Sequence, residues 1–190
     1  VKGPDAGRFL DMLYTNMMST LKVGRCRYGL MCNENGFLKD DGVVARLSDD
    51  SFLCHTTTGG SDAIHAHMEE WLQTEWWDWK VQTLNVTEQF AQIAVVGPQA
   101  RRWRALMAEG ARHGVMPYGT EALHIMRAEK GVIMIGDETD GTVIPQDLGL
   151  DWAISKKKDD FIGKRGQMRP HMTDPDRWKL VGLMSFDGSV

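Results

Sequence analysis

The sequence predicts an α+β fold, an antiparallel sheet with packed helices. Two observations lead there: stretches with helical apolar spacing alternate with β-type runs in the order helix, strands, helix, strands, and an Asn35-Gly36 pair joins two of those runs as a hairpin does. The first helix runs from Pro4 to about Asn16, opened by Pro4 and Asp5, with Phe9, Leu10 and Leu13 on one face. The hairpin follows, with strands at about Arg25 to Asn33 and Phe37 to Leu47, and Asn35-Gly36 supplies the two positive-φ positions of a type I′ turn. A further strand fits Ser51 to Thr56. The loop from Thr57 to Ser61 ends in a residue able to cap a helix from Asp62 to about Gln73, with Ile64, Met68, Trp71 and Leu72 on one face. The aromatic run Glu75-Trp76-Trp77-Asp78-Trp79 lacks basic interleaving, so it reads as packing, with any exposed ring available to an interface.

Strands fit Val81 to Val86 and Phe90 to Val96, closed by Gly97-Pro98, and helices fit Pro98 to Gly110 and the stretch from Pro117 through Arg127 and Glu129. Beyond Gly136 the chain is loop-rich, and Lys179 to Met184 reads as a last strand. The expected division is a first α+β segment over 1–102 and a second, helical and loop-rich segment over 103–190, with both ends of the chain looking cut.

Composition narrows the function. With 190 residues, 42% hydrophobic and 25% charged, the chain has the balance of a soluble globular protein with a real core. A net charge of −4 argues against a nucleic acid or an anionic membrane as partner. The one basic run, Lys156-Lys157-Lys158, is followed at once by Asp159-Asp160 and is expected to be a solvated loop. Cys26, Cys32 and Cys54 show no CxxC spacing, which fits a reduced, cytoplasmic setting better than a disulfide framework. No apolar run approaches the roughly 20 residues of a membrane span.

Several kinds of chemistry lack their residues. No GxSxG, Walker loop, GxGxxG or HExxH occurs. His65 and His67 stand two apart on a helix, where metal pairs stand three or four apart, and are expected to be surface or satisfied polar residues. Cys54 and His55 are neighbours on a strand and point to opposite faces, so Cys54 reads as packing. The acids of Asp137-Glu138-Thr139-Asp140-Gly141 lack the alternation and closing glutamate of a calcium loop, and no metal site is expected.

The adjacent pair Asp40-Asp41 differs. A two-residue Asn35-Gly36 turn pairs Glu34 with Phe37, Leu30 with Asp41 and Tyr28 with Val43. Asp41 then shares a mostly apolar face with Tyr28 and Leu30, whereas Asp40 shares the other face with Val44 and Arg46 and is expected to be solvated. A carboxylate on an apolar face must accept hydrogen bonds to offset its desolvation, so Asp41 either ties backbone amides in a strand bend or serves a ligand N–H or a proton.

The residues Lys2-Gly3-Pro4, the run from Arg27-Tyr28 through Asn33-Glu34-Asn35-Gly36, and Asp40-Asp41-Gly42-Val43-Val44 resemble the folate-binding aminomethyltransferase family typified by the glycine-cleavage T-protein. The runs Pro117 to Leu123, Arg127 to Gly131 and Gly136 to Gly166 are most similar to the T-protein-like C-terminal part of heterotetrameric sarcosine oxidase alpha subunits. The resemblance implies a T-protein-like folate-binding fold and a domain that passes the one-carbon unit of an oxidised N-methyl amine to tetrahydrofolate, giving 5,10-methylenetetrahydrofolate. It implies other subunits of a hetero-oligomeric oxidase as partners and a small-molecule amine as substrate, with FAD, FMN and NAD in other parts of that assembly. The family's second aspartate, near the reactive folate nitrogens, corresponds to Asp41, the catalytic candidate; its hairpin tyrosine, which lines the pterin pocket, corresponds to Tyr28, so Tyr28 and Asp41 are the cofactor-binding candidates. Arg127 and Glu129 match an R-x-E pair expected to be mainly structural.

Three departures qualify the resemblance. Leu123 stands where T-proteins carry an arginine. A stretch of some tens of residues that ends in the family's pterin-binding glutamate is missing near Arg101-Arg102-Trp103. Ile162 to Gln167 lacks the cysteine of the K-G-C-Y-x-G-Q-E signature of the iron–sulfur and RNA-modification relatives. The alternatives implied are a free-standing T-protein and a non-catalytic folate-binding or scaffolding relative.

Overall fold

The computed structural model describes residues 1–90, 118–183 and 185–186. Along it run α1 (Ala6–Leu13), β1 (Cys26–Cys32), β2 (Leu38–Ser48), β3 (Ser51–Cys54), α2 (Ser61–Thr74), α3 (Thr120–Lys130) and α4 (Lys164–Gln167), with short 3-10 turns such as Pro145–Leu148 and Asp151–Ala153. The chain divides by compactness into one unit of 1–85 with 133–190 and a second of 86–132. The mixed α+β class is as expected. The strand expected from Phe90 to Val96 lies outside the described residues beyond Phe90, and so does the helix expected over 98–110.

In the first unit β1, β2 and β3 form an antiparallel meander in that order. The apolar spacing of α1 buries Ala6, Phe9, Leu10 and Leu13 against Met31, Val44 and Phe52 of the sheet, and α2 adds Ile64, Met68 and Leu72 to the same core. Burying a side chain the size of Phe9 or Leu10 contributes about 1.5–3 kcal/mol, so these positions anchor the helices to the sheet. Ser61 is the first residue of α2 rather than its cap; Gly60, the last residue of the 3-10 turn Thr58–Gly60, holds the cap position.

The tryptophan run behaves as packing. Trp76 stacks between Trp71 and Trp79 at centroid distances of 5.4 and 5.0 Å and meets Phe9 edge-on at 5.8 Å. Trp77 projects outward, 78% exposed.

Two expected strands are not formed among the described residues. Residues 81–86 contribute only an isolated bridge, Lys2 to Gln82, because the backbone there is drawn to the start of the chain rather than to a sheet edge. Among the described residues Lys179 to Leu183 pairs with no strand, and the Leu180 amide donates to the Asp147 carbonyl at 2.8 Å.

In the second unit α3 opens after Gly119, as the Pro117-Tyr118-Gly119-Thr120 run leads one to expect, and ends at Gly131, whose φ of 75° supplies the left-handed C-cap.

Candidate functional site

The candidate site grows from the β1–β2 hairpin. Its register over most of its length is the expected one: Tyr28 faces Val43 and Leu30 faces Asp41. The tip differs. Only Gly36 has positive φ, at 92°, so the type I′ pair is not formed; the Gly36 amide donates to the Asn33 carbonyl at 2.9 Å and the loop is three residues long, Glu34 to Gly36. Asn33 is the cause, since its side-chain Oδ1 accepts from the amides of Asn35 and Phe37, both at 3.1 Å, in an Asx turn. The extra residue is absorbed by a bulge between Met31↔Asp40 and Cys32↔Leu38, which leaves Lys39 without a partner on β1. The bulge restores the register before Asp40 and Asp41 are reached.

The two aspartates point to opposite faces, yet Asp40 is not the solvated one. It is 4% exposed, and its Oδ1 accepts from the Thr57 hydroxyl at 2.6 Å and the Thr57 amide at 3.3 Å. Its face is the main core face, shared with Met31 and Val44 and covered by α1 and α2. Burial raises the Asp40 carboxyl pKa, the two Thr57 bonds lower it by less, and the Asp41 charge adds to the rise. Strand alternation assigns the two aspartates to the right faces, but both faces are covered, not only that of Asp41. Arg46, on the same face by alternation, does not pair with Asp40 but donates from Nη1 to the Ser19 and Leu21 carbonyls at 3.0 and 2.8 Å. Gly42 lets the chain close down here: a Cβ on it would stand 1.8 Å from the His55 carbonyl oxygen, two residues before Thr57.

On the opposite face Leu30, Leu38 and Ala153 form a second, smaller core with Tyr28, Ile133, Ile135, Leu148 and Leu150. Asp41 is half-buried at the margin of this core. The Tyr28 hydroxyl donates to its Oδ2 at 2.6 Å. Burial first, and then this bond and the carboxylate charge, push the phenol pKa well up, so Tyr28 stays a donor. Trp152, on the 3-10 turn Asp151–Ala153, stacks on Tyr28 with centroids 5.5 Å apart and ring planes 25° from parallel. The two rings border an open cavity of about 420 Å³ that Asn16, Arg27 and Lys157 also line. Among the described residues no donor reaches Asp41 Oδ1. A carboxylate is thus tied to a phenol whose ring stacks on an indole and borders the cavity, with an apolar core beside them, groups suited to a flat ligand that carries N–H groups.

Trp152 was not singled out from sequence, because a lone tryptophan in a loop gives no periodic signal. Asp147 and Lys158 were also missed. Asp147 is 5% exposed, accepts from the Ile144 amide at 3.0 Å and pairs with Arg177 at 2.5 and 3.0 Å. Burial pushes its carboxyl pKa up, but the Arg177 bond, the Ile144 amide and the charges of Arg177 and Lys179 together outweigh burial and hold it below the usual value. Lys158 overturns the expectation of a solvated basic loop: it is 7% exposed, and its Nζ donates to backbone carbonyls at the end of α1, whose last carbonyls have no partner within the helix.

The remaining candidates are structural. His67 is buried on α2, where burial and then the Lys39 charge lower its pKa. His65 meets Thr83 at 2.9 Å. Burial pushes the Cys54 thiol up to about 11 and the Cys32 thiol to about 12, so both stay protonated at neutral pH. Asp140 ties Thr142 through its amide and hydroxyl, and Glu138 accepts from the Met134 amide, so these acids are turn residues. Among the described residues no group of three or more His, Cys, Asp or Glu could hold a metal ion, and no helix is long and apolar enough to cross a membrane.

Comparison with known proteins gives a consistent picture. The family model described as the GCVT N-terminal domain matches residues 1–102 and 101–158, two pieces that meet where the sequence reading places a missing stretch. The chain is 38% identical to the sarcosine oxidase subunit alpha of Corynebacterium sp. (strain U-96) over 247 aligned residues, covering 100% of this chain and 26% of that protein. It is 32% identical to the same-named subunit of Rhizobium meliloti (strain 1021), covering 98% of this chain and 25% of that one. An aminomethyltransferase of Clostridium botulinum (strain Loch Maree / Type A3) is 24% identical, with 100% of this chain and 65% of that protein covered. The chain thus spans about a quarter of the length of the sarcosine oxidase subunits it matches. In fold it is similar to the glycine cleavage system aminomethyltransferase T of Bartonella henselae, with a TM-score of 0.66 at 20% identity, over 87% of this chain and 58% of that one.

Proposed function

This chain belongs to the GCVT N-terminal domain family, and from that premise we propose that it is the folate-binding domain of a sarcosine oxidase alpha-like subunit, passing the one-carbon unit of an oxidised N-methyl amine to tetrahydrofolate. The observation that carries the reading is the 2.6 Å bond from Tyr28 to Asp41 beneath the Tyr28–Trp152 stack. Among the described residues it leaves Asp41 Oδ1 without a donor, close to the Tyr28 ring, which fits a reduced pterin with its ring N–H groups. When bound, tetrahydrofolate supplies the nucleophilic nitrogens, and 5,10-methylenetetrahydrofolate is the product.

Asp41 accepts an N–H of the ligand at Oδ1 and receives the proton that the nitrogen gives up. Tyr28 fixes the plane of that carboxylate by donating to Oδ2. Trp152 and Tyr28 offer their ring faces to the ligand, and Leu30 closes the base of the site against water. The family's further pterin-binding glutamate belongs to the stretch that this sequence lacks near Arg102. FAD, FMN and NAD belong to other parts of the oxidase in this reading, and the other subunits of a hetero-oligomer are its partners.

A free-standing aminomethyltransferase is the second reading; identities of 38% to the oxidase subunit against 24% to the aminomethyltransferase favour the first. The test is amine turnover by the full-length protein with its partners, scored for methylenetetrahydrofolate and formaldehyde. Asp41→Ala is expected to leave amine oxidation intact and release formaldehyde, whereas an unchanged methylenetetrahydrofolate yield rejects the assignment of Asp41.

A further inference from the structure

Residues 14–16, just beyond the end of α1, form a strap between the outer edge of β1 and the segment 153–158. On one side the Thr15 amide donates to the Leu30 carbonyl at 2.9 Å, Tyr14 bridges Met31, and the Asn16 side-chain amide donates to the Tyr28 carbonyl at 2.6 Å. On the other side the Thr15 hydroxyl donates to the Ala153 carbonyl at 2.8 Å and the Ser155 amide to the Thr15 carbonyl at 3.0 Å. The two stacked rings of the site are attached to opposite sides of this strap, Tyr28 through β1 and Trp152 through Ala153.

The strap is held in turn by Lys158. Its ammonium donates to the carbonyls of Asp11, of Tyr14 at 2.5 Å and of Asn16 at 3.3 Å. Three N–H donors meet three carbonyls, a match an ammonium makes and a neutral amine does not. Lys164 secures the backbone beneath it, donating from Nζ to the Lys158 and Asp159 carbonyls at 2.5 and 2.8 Å. The Phe161 ring lies 5.2 Å from the Lys158 Nζ. Lys156 and Lys157, next in sequence, are exposed.

We propose that Lys158 is a positioning residue for the Tyr28, Asp41 and Trp152 face, setting the separation of the two rings through the 14–16 strap without touching the ligand. In its consequence for folate the proposal rests on the function proposed above; in its consequence for the strap it does not. Burial lowers the Lys158 pKa to about 8, with Asp11 and Asp160 raising it and Lys164 lowering it further by charge. The clamp therefore opens as pH rises above that value.

The test uses the full-length protein, Lys158→Met, Lys158→Arg, and Lys156→Met as the exposed control. Amide hydrogen exchange is expected to quicken about tenfold or more over 14–16 and 153–155 in Lys158→Met, with α2 unchanged, and to stay near wild type in the other two. Titration with a reduced folate is expected to show wild-type affinity falling above about pH 8, and that fall missing in Lys158→Met. Unchanged exchange over both segments in folded Lys158→Met overturns the proposal. Should that variant not fold, a wild-type affinity flat between pH 7 and about 9.5 overturns it. Faster exchange with no wild-type folate binding leaves Lys158 as the clamp of the aromatic face and removes the folate reading instead.

Discussion

The two faces of the β1–β2 ribbon each carry one aspartate, adjacent in sequence and different in state. On the face beneath α1 and α2, Asp40 is enclosed by Met31 and Val44 and its hydrogen bonds are supplied by Thr57. On the face beneath the 133–153 segment, Asp41 is half-buried, held by Tyr28 at one oxygen and, among the described residues, without a donor at the other. The first face is a finished core whose polar group has found its partners. The second is a smaller core whose edge is an aromatic plane beside a cavity. Burial therefore does not choose between the two carboxylates, and the proposed role of Asp41 rests on its bond to Tyr28, whose ring borders the cavity.

The contrast can be broken most strongly at Asp41. Asp41→Ala is expected to lower methylene transfer about 100-fold or more, the usual scale for a lost proton acceptor, with the melting temperature nearly unchanged. A smaller effect, on stability, is expected at the cover of the second face. Arg177→Met leaves the Asp147 carboxylate unpaired and should destabilise the protein by about 2 kcal/mol in denaturant titration. Because Asp147 is held below its usual value, the pair's contribution is present above about pH 3.8 and is lost as pH falls through the folded value.

Trp152→Ala should weaken reduced-folate binding by about 1 kcal/mol, roughly fivefold, through the lost ring face. Asp40→Asn should have the smallest effect. The Asp40 pKa is raised in the folded state, so the carboxyl's contribution is full below about pH 3.8 and is lost as pH rises through the folded value. The amide keeps an acceptor for Thr57 but no longer titrates against the acid loss that Asp147 causes, so melting curves from pH 3 to 7 should show stability within about 1 kcal/mol of wild type and a slightly steeper acid limb.

Sequence carried the hairpin register, the apolar face of α1, the helical character of α2 and α3, and the shared face of Tyr28 and Asp41, because each is written as a local period. The hairpin tip escaped because Asn33 competes for the turn amides, which an Asn-Gly rule does not weigh. Asp40 escaped because strand alternation says which residues share a face but not what lies over it. Lys158, Asp147 and Trp152 escaped for a related reason: their partners lie far away in sequence, as with Lys158 and Asp11 or Trp152 and Tyr28. The strands expected at 81–86 and from 179 onward had the right composition but, over the described residues, found no sheet edge.

The account rests on the two aspartates differing in function, and calorimetric titration of a reduced folate into the full-length protein, Asp40→Asn and Asp41→Asn tests this most directly. The expected result is affinity within about twofold of wild type for Asp40→Asn and a loss of about tenfold or more for Asp41→Asn, the scale of a hydrogen bond to a charged group. Equal affinities for the two variants, or no binding by the wild type, contradict it.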